Sequence, residues 1–486
     1  MKKILLATVI CITSIGAILF ARFQAQHVFS FPTEISATLP DATGPVIAEF
    51  DPLHEDWPQW RGTNRDGIAG STDLLERWPA KGPRLLWTAS GLGTGMSSVS
   101  IANGSIFTLG VQNGRVRVVC RSAKDGTEKW VAEIGDGGDP NGTPTVDGDR
   151  VYAITREGRI VCAETETGRI VWTRDFVNEF DGAIPTWGYS ESPLVDDGRV
   201  ICTPGSDDAM MVALDRSTGE TIWKTSVPTQ MQRKGHRGAG YSSPVFSRGG
   251  GVHQYVQAFG GGVISVAAAD GSVLWGYSRV ANATAVVPTP IVYGDYVFAS
   301  SGYNTGAALL KLVRTATGIN PEEVYFHRGN KVQNHHGGMI LIDGHVYMGH
   351  GHNKGLGLCL DLLSGVVKWG PVRGPGSGSA AIAYADGHLY FRYENARMAL
   401  IEATPSGYVL KSEFRIPSHL GKSWPHPAIA RKRLYLRDQN VLLCYDLAKN
   451  PVLEPRTPLS ENSSGEAASS QVAGRTGLVP SEVNNP

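Results

Sequence analysis

The sequence predicts an all-β fold: an eight-bladed β-propeller of four-stranded antiparallel blades, closed by an N-terminal strand that joins the last blade. Three observations carry this expectation. Glycine supplies 59 of 486 residues without an every-third-residue period, which excludes collagen and favours a turn-dense β protein. A glycine-to-tryptophan phrase recurs at the spacing of one blade. The first and last copies of that phrase are incomplete in complementary ways.

Each copy opens with a strand, a tight turn and a second strand. The turns are Asn103-Gly104, Asp147-Gly148, Asp197-Gly198, Gly249-Gly250, Gly294-Asp295, Asp343-Gly344 and Asp386-Gly387, with Arg431-Lys432-Arg433 in the eighth place. Later in the copy a glycine stands four residues before a tryptophan, as in Gly126 and Trp130, Gly168 and Trp172, Gly219 and Trp223, Gly271 and Trp275, and Gly365 and Trp369. Tyr325 and Phe414 replace the tryptophan in two degenerate copies. Counting from Trp87, successive marks lie 42 to 52 residues apart, the length of four short strands and their turns. A count of seven blades is the alternative if one degenerate copy is misread. Leu85-Leu86-Trp87 is an outer strand without its own inner strands, whereas the last copy, through Val441 to Tyr445, lacks an outer strand. Their union closes the ring and leaves no blade incomplete.

The ends lie outside the repeats. Lys2 and Lys3 precede an apolar run from Ile4 to Ala21, the pattern of an export leader, so residues 1–26 are a signal peptide or a signal anchor; the uncleaved anchor, held in the inner membrane, is preferred. Residues 27–55 read as a proline-containing linker, 56–449 as the propeller with its Trp-rich lead-in, and 450–486 as a disordered tail rich in Ser, Glu, Pro and Asn. The expected location is the periplasm or cell envelope. The balance of 45 basic and 45 acidic side chains removes the whole-chain electrostatic argument for nucleic-acid binding.

Six cysteines in an exported chain would ordinarily suggest disulfides. Their register argues against them. Cys120, Cys162, Cys359 and Cys444 fall late in the third strand of different blades, where neighbouring sheets lie ~10 Å apart, beyond the ~7 Å that a disulfide spans. They read as small buried hydrophobes, replaced by Ala213 and Ala267 in sister copies, and Cys202 reads the same way.

The phrase Asp215-Arg216-Ser217-Thr218-Gly219-Glu220-Thr221-Ile222-Trp223 resembles the tryptophan-docking repeat of the pyrroloquinoline-quinone-like (PQQ-like) β-propellers. That family includes quinoprotein alcohol dehydrogenases and the outer-membrane protein assembly factor B. The stretch from Asp56 to Gly67 is similar to the lead-in of a bacterial subgroup of these propellers. The resemblance implies the fold over about residues 85–447, and implies either a binding and scaffolding role or quinone-dependent oxidation of alcohols or sugars with PQQ and calcium. No two cysteines are adjacent, so the neighbouring-cysteine ring of many quinoprotein dehydrogenases cannot form here.

In a four-stranded meander, the loop into the innermost strand and the loop between strands two and three open on one face. That face collects the long loops, and binding is expected there. The candidates are Trp187, Tyr189, Glu191, His236, Arg237, Tyr241, Asn304, Arg392, Trp424 and His426, with Lys234, Asp207, Asp208, Tyr303, Asn353, Arg373 and Glu394 nearby. Trp187, Tyr189 and Trp424 offer stacking surfaces, and His236-Arg237 an anion fork. His335, His336, His350 and His352 form a candidate transition-metal site because imidazoles suit such ions, against the plainer reading that they bond loop backbone. Asp136-Gly137-Gly138-Asp139 lacks calcium-loop spacing and reads as a turn. No Gly-x-Ser-x-Gly elbow, phosphate loop or His-Glu-x-x-His helix occurs, so the familiar hydrolase and nucleotide routes have no anchor. The leading expectation is a membrane-tethered module that binds an envelope protein, a glycan or a small molecule; the alternative is the quinone dehydrogenase, with Glu191 or Asp207 as base.

Overall fold

A computed structural model describes residues 27–31, 55–231 and 238–450. The export leader with Cys11, most of the linker, the stretch with Lys234, His236 and Arg237, and the C-terminal tail lie outside the described residues. Among the described residues no helix is long and apolar enough to cross a membrane.

Eight sheets, each a meander in chain order, make the propeller. Blades 1 to 7 occupy residues 100–136, 145–175, 194–225, 245–277, 291–328, 334–372 and 380–415. Blade 8 combines Ala428–Ala430, Arg433–Asp438 and Val441–Asp446 with the distant strand Arg84–Ser90. That strand pairs antiparallel with the last one, Trp87 opposite Cys444 and Ser90 opposite Val441, so the expected closure is the observed one. First strands of neighbouring blades pack on one another around the axis, and between blades the sheet faces bury apolar side chains that no isolated blade would cover.

The repeated glycine and tryptophan meet across blade boundaries. A Cβ on Gly126 would lie 2.7 Å from the ring of Trp87, and one on Gly168 would lie 2.5 Å from Trp130. Gly219 meets Trp172 and Gly271 meets Trp223 in the same way, at 2.7 and 2.5 Å. These aromatics therefore sit on the turn of the following blade, and in several of them the N–H finds a carbonyl there: Trp130 Nε1 donates to Thr165 O at 2.9 Å, Trp172 Nε1 to Arg216 O at 3.0 Å and Trp369 Nε1 to Thr404 O at 2.8 Å. Tyr325 keeps the pattern with its hydroxyl, donated to Leu362 O at 2.7 Å.

Cysteine placement follows from the same register. Cys120, Cys162, Cys359 and Cys444 stand opposite Trp130, Trp172, Trp369 and Trp87, and with Cys202 they are buried and unpaired. Ala213 is the equivalent residue opposite Trp223, as expected. In blade 4 the equivalent is Ser265, opposite Trp275, and not Ala267; counting from the strand end misplaced it by two residues.

Two features depart from the bare repeat. Within the stretch read as linker, Val28–Ser30 adds a fifth strand to the outer edge of blade 4, with Val28 opposite Tyr277 and Ser30 opposite Trp275. The lead-in then fills the propeller axis. Trp57 exchanges both backbone bonds with Ile101 of blade 1, Pro58 O accepts from Val146 N of blade 2, and Arg65 donates to Ser192 O and Pro193 O at the start of blade 3, at 2.7 and 3.0 Å. Trp60 Nε1 reaches Thr289 Oγ1 before blade 5 at 3.4 Å, Arg61 donates to Met339 O of blade 6, and Ala69 N donates to Tyr384 O of blade 7. With Trp60 also against His426 before blade 8, at 4.4 Å between rings, one segment touches the inner margin of seven blades. Only a path along the axis allows this.

The docking glycines are thus doubly constrained. Gly168 has φ of +71° and no room for a Cβ, while Gly198 has φ of +74° and open space around it. Gly198→Ala should cost about 1 kcal/mol of unfolding free energy from left-handed strain alone. Gly168→Ala should cost about 2–4 kcal/mol, because overpacking against Trp130 is added. Paired urea denaturation measures the difference, and equal costs would show that the aromatic contact contributes nothing.

Candidate functional site

The short-turn face of the ring receives the lead-in, and the long-loop face holds most of the polar and aromatic candidates. Two groups of residues assemble there. The larger spans the loops of blades 5 to 8, and the smaller lies over blades 3 to 5.

In the larger group, rings follow one another across the mouth of the axis. Tyr303 lies 4.5 Å from His352, His352 4.1 Å from His335, His335 3.6 Å from His336 and His336 4.5 Å from Trp424, all between ring centroids. The Lys422 ammonium caps the run, 4.5 Å from the Trp424 ring centre. Tyr303, Asn304 and Asn353 hold left-handed backbone with φ of 54°, 62° and 48°, the conformation that lets these short loops turn back over the strands.

Proton positions in this group follow from its acceptors. Ser379 Oγ lies 3.0 Å from Asn353 Oδ1, so the serine donates there. His335 Nδ1, 3.1 Å from Ser379 Oγ, then donates to that hydroxyl oxygen, and His335 Nε2 accepts the Tyr303 hydroxyl at 3.1 Å. Burial, followed by repulsion from His336 and His352, holds the His335 imidazole down to about 2. Burial likewise holds His336 and His426 to about 3. These three rings are neutral at physiological pH.

Three of the four expected metal histidines therefore come together, but His335 and His336 stack face to face at 25°, and stacked rings aim their in-plane nitrogens side by side. His350 turns aside, its Nδ1 accepting from Gln333 N at 3.3 Å. His426 Nε2 bonds the His336 carbonyl at 2.8 Å. Among the described residues no group of three or more His, Cys, Asp and Glu is arranged to hold a metal ion.

The smaller group centres on Trp187, 47% exposed, whose ring lies 5.6 Å from Tyr241 and whose backbone N–H donates to the Tyr241 hydroxyl at 3.4 Å. Beside them is a shallow concavity lined by Pro185, Tyr241, Gly260, Asn282 and Thr284. His236 and Arg237 lie outside the described residues, between Met231 and Gly238.

Four of the candidate ligand residues are buried: Tyr189, Glu191, Arg392 and His426. Tyr189 packs edge-on against Phe176 and donates to Pro204 O at 2.8 Å. Arg392 is fully buried in the second strand of blade 7 and fastens it to blade 8 through the carbonyls of Pro425 and Arg437. Arg392 lies near the end of its strand, where spacing alone assigned it to the loop, whereas Tyr189 lies in the loop before blade 3 but packs inward. Asp136 and Asp139 go to different partners, Arg115 and Thr94, as a turn requires. Sequence reading missed Arg61, Arg65 and Trp60 as the floor beneath the mouth; the concentration of Trp and Arg in a segment without strand periodicity was the available signal.

Glu191 is buried behind the smaller group. Its Oε1 accepts from Thr203 N at 2.6 Å and its Oε2 lies 3.4 Å from Gln257 Nε2. Burial pushes the carboxyl up to about 7, against hydrogen bonds from Thr203 and the nearby Arg65 cation, which act to lower it. Arg65 itself is brought down to about 9 by burial and remains charged at neutral pH. The folded protein thus holds the Glu191 proton more tightly than the unfolded chain, whose carboxyl titrates near 4.5. Stability is fully retained below that value and is lost as pH rises through about 7. Glu191→Gln should match wild type at pH 4 and exceed it by up to about 3 kcal/mol at pH 8. Denaturation curves at the two pH values check this, and a difference that does not grow with pH would contradict it.

Comparison with known proteins agrees with this architecture. A family model described as outer membrane protein assembly factor BamB matches residues 112–371. The BamB of Alteromonas naphthalenivorans is 33% identical over 114 residues, which is 21% of this chain and 27% of that relative. The BamB of Burkholderia pseudomallei is 26% identical over 160 residues, 33% of this chain and 39% of that relative. The chain thus spans well under half the length of the curated relatives it matches. Among solved structures, the quinohemoprotein alcohol dehydrogenase of Comamonas testosteroni aligns over 83% of this chain and 82% of its own, with a TM-score of 0.59 at 12% identity. A europium-containing methanol dehydrogenase aligns over 79% and 90%, with a TM-score of 0.58 at 10% identity; both likenesses are of fold. With the model covering more than half its length and the docking repeat visible around the ring, the chain belongs to the PQQ-like β-propeller family typified by outer membrane protein assembly factor BamB.

Proposed function

We propose that the protein is an exported, membrane-tethered binding module of the cell envelope, which holds a partner protein, a glycan or a small molecule on its long-loop face without turning it over. The observation that carries this reading is the asymmetry of the two faces. The axis is closed from the short-turn side by the lead-in, whereas the opposite mouth gathers part-exposed Tyr303, His336, His352, Trp424, Trp187 and Tyr241 on loops held by rigid blades. Lys2, Lys3 and the apolar run from Ile4 to Ala21 support export and tethering.

The quinone dehydrogenase reading fits the residues less well. A PQQ site of that kind needs a divalent cation, and no described His, Cys, Asp and Glu set of three or more is arranged to hold one. The five described cysteines stand singly. Glu191, the expected base, points its oxygens at Thr203 and Gln257 inside the protein.

Two measurements test the proposal. Alkaline phosphatase fused after residue 31 should be active in cells, which reports export; an inactive, cytoplasmic fusion would refute the location. Purified protein incubated with PQQ and Ca²⁺ should show no dye reduction that depends on added alcohols or sugars. A saturable rate abolished by Glu191→Ala would replace binding by catalysis.

A further inference from the structure

The added strand on blade 4 has a direction. Blade 4's outer strand runs from the short turn at Gly271 to the long-loop face, and Val28–Ser30 lies antiparallel to it. The ladder continues beyond the three paired residues. His27 O accepts from Ser278 N at 3.0 Å, where the outer strand leaves for the long-loop face, and Phe31 N donates to Leu274 O at 3.1 Å lower down. The chain therefore arrives at the propeller from the long-loop side, at the rim of blade 4.

This attachment is built into the core. Val28 packs with the cluster between blades 4 and 5, and Phe29 with the one between blades 3 and 4. Trp275, beneath the added strand, is wholly buried, whereas Trp172, Trp223 and Trp369 keep 7–8% exposure. Gly318 of blade 5 gives the strand passage, since a Cβ there would lie 2.6 Å from Phe31 O. Only residues 22–26 separate this seat from the end of the apolar run at Ala21. Fully extended, they reach about 20 Å.

The surface around the arrival point carries exposed apolar and aromatic side chains. Ile184 is 52% exposed and Trp187 47% exposed, on the loop leading into blade 3. Both belong to the long-loop face. Pro185 and Tyr241 share a concavity with Asn282 and Thr284, four and six residues past Ser278, so the patch is continuous with the place where His27 is held. An exposed tryptophan beside an aliphatic tip suits the boundary between headgroups and acyl chains.

We propose that the blade 3–4 sector of the long-loop face is seated on the lipid bilayer, with Ile184 and Trp187 in the interface and Val28–Ser30 acting as the strap that sets this orientation. The inference rests on the tethered reading above. The strap confines the propeller to one tilt, brings blade 4 down to the membrane and leaves the ring column of blades 5 to 8 toward the periplasmic side.

Full-length protein with Cys11→Ala tests this, because the other cysteines are buried. Single cysteines replacing Ile184 or Val366, the latter 58% exposed on the short-turn face of blade 6, carry a fluorophore in vesicles of three parts phosphatidylcholine to one part phosphatidylglycerol with nitroxide-labelled lipid. Quenching at position 184 should exceed that at 366 by about threefold or more. Adding Phe29→Asp, which unseats the strap, should erase most of the contrast while the circular dichroism of the propeller persists. Equal quenching at the two sites in protein whose intact mass shows a retained leader would overturn the inference and leave the tether standing. Loss of the leader from the intact mass would remove the tether and the inference with it. Position 184 shielded from lipid by an added protein partner would equally overturn it, marking Trp187 as a protein contact.

Discussion

The structure depends on an aromatic ring resting on a glycine of the next blade. The contact closes the gap between diverging sheets and fixes the angle between neighbours, and for Trp130, Trp172 and Trp223 the neighbouring turn also offers the indole N–H a carbonyl. A side chain on that glycine has no space, and an L-residue has the wrong backbone there. Because most blades supply the ring for one neighbour and the glycine for the other, these contacts are complete only when the circle is closed. The strand Arg84–Ser90 exists for that reason: without it, blade 8 would lack the Trp87 that Gly126 of blade 1 is shaped to receive.

A second set of fasteners holds the inner margin. Arg437 of blade 8 donates to Ser97 O at 3.1 Å and Thr108 Oγ1 at 2.6 Å, both belonging to blade 1 or its inner loop. Arg392 does the same from blade 7 to blade 8, and Arg61 and Arg65 do it from the axis. All four guanidinium groups are buried, and desolvation lowers each from its ordinary value, Arg437 and Arg65 to about 9 and Arg61 and Arg392 to about 10. They stay charged because backbone carbonyls, with their partial negative charge, replace water around them. Removing one would leave several carbonyls without donors, so these residues join blades.

What could be read from the chain divides along the same lines. Blade number, closure and the cysteine register were legible because they repeat: five Gly-to-Trp intervals at one spacing identify the docking contact without any coordinates. The axial lead-in was not, because it meets seven blades through single backbone bonds, Arg side chains and one Trp ring, each contact of a different kind, and such contacts leave no period. The strap on blade 4 is three paired residues long, too short for alternation to register. Among site residues, Trp187, Tyr241, Asn304 and Trp424 lie on the expected face, and His335, His336 and His352 gather. Arg392, near a strand end, and Tyr189, in a loop, were both assigned outward because polar residues at either place can point in or out, and only packing decides. Glu191 was legible as unusual, but not as interior.

Native-state hydrogen exchange across the closing blade tests the central claim, that a strand from the front of the folded region completes a cooperative ring. Amides of Arg84–Ser90 should be protected to the same opening free energy as those of Val441–Asp446 and of the inner strands of blade 1. Loop-like exchange in residues 84–90, with protection retained in 441–446, would contradict it.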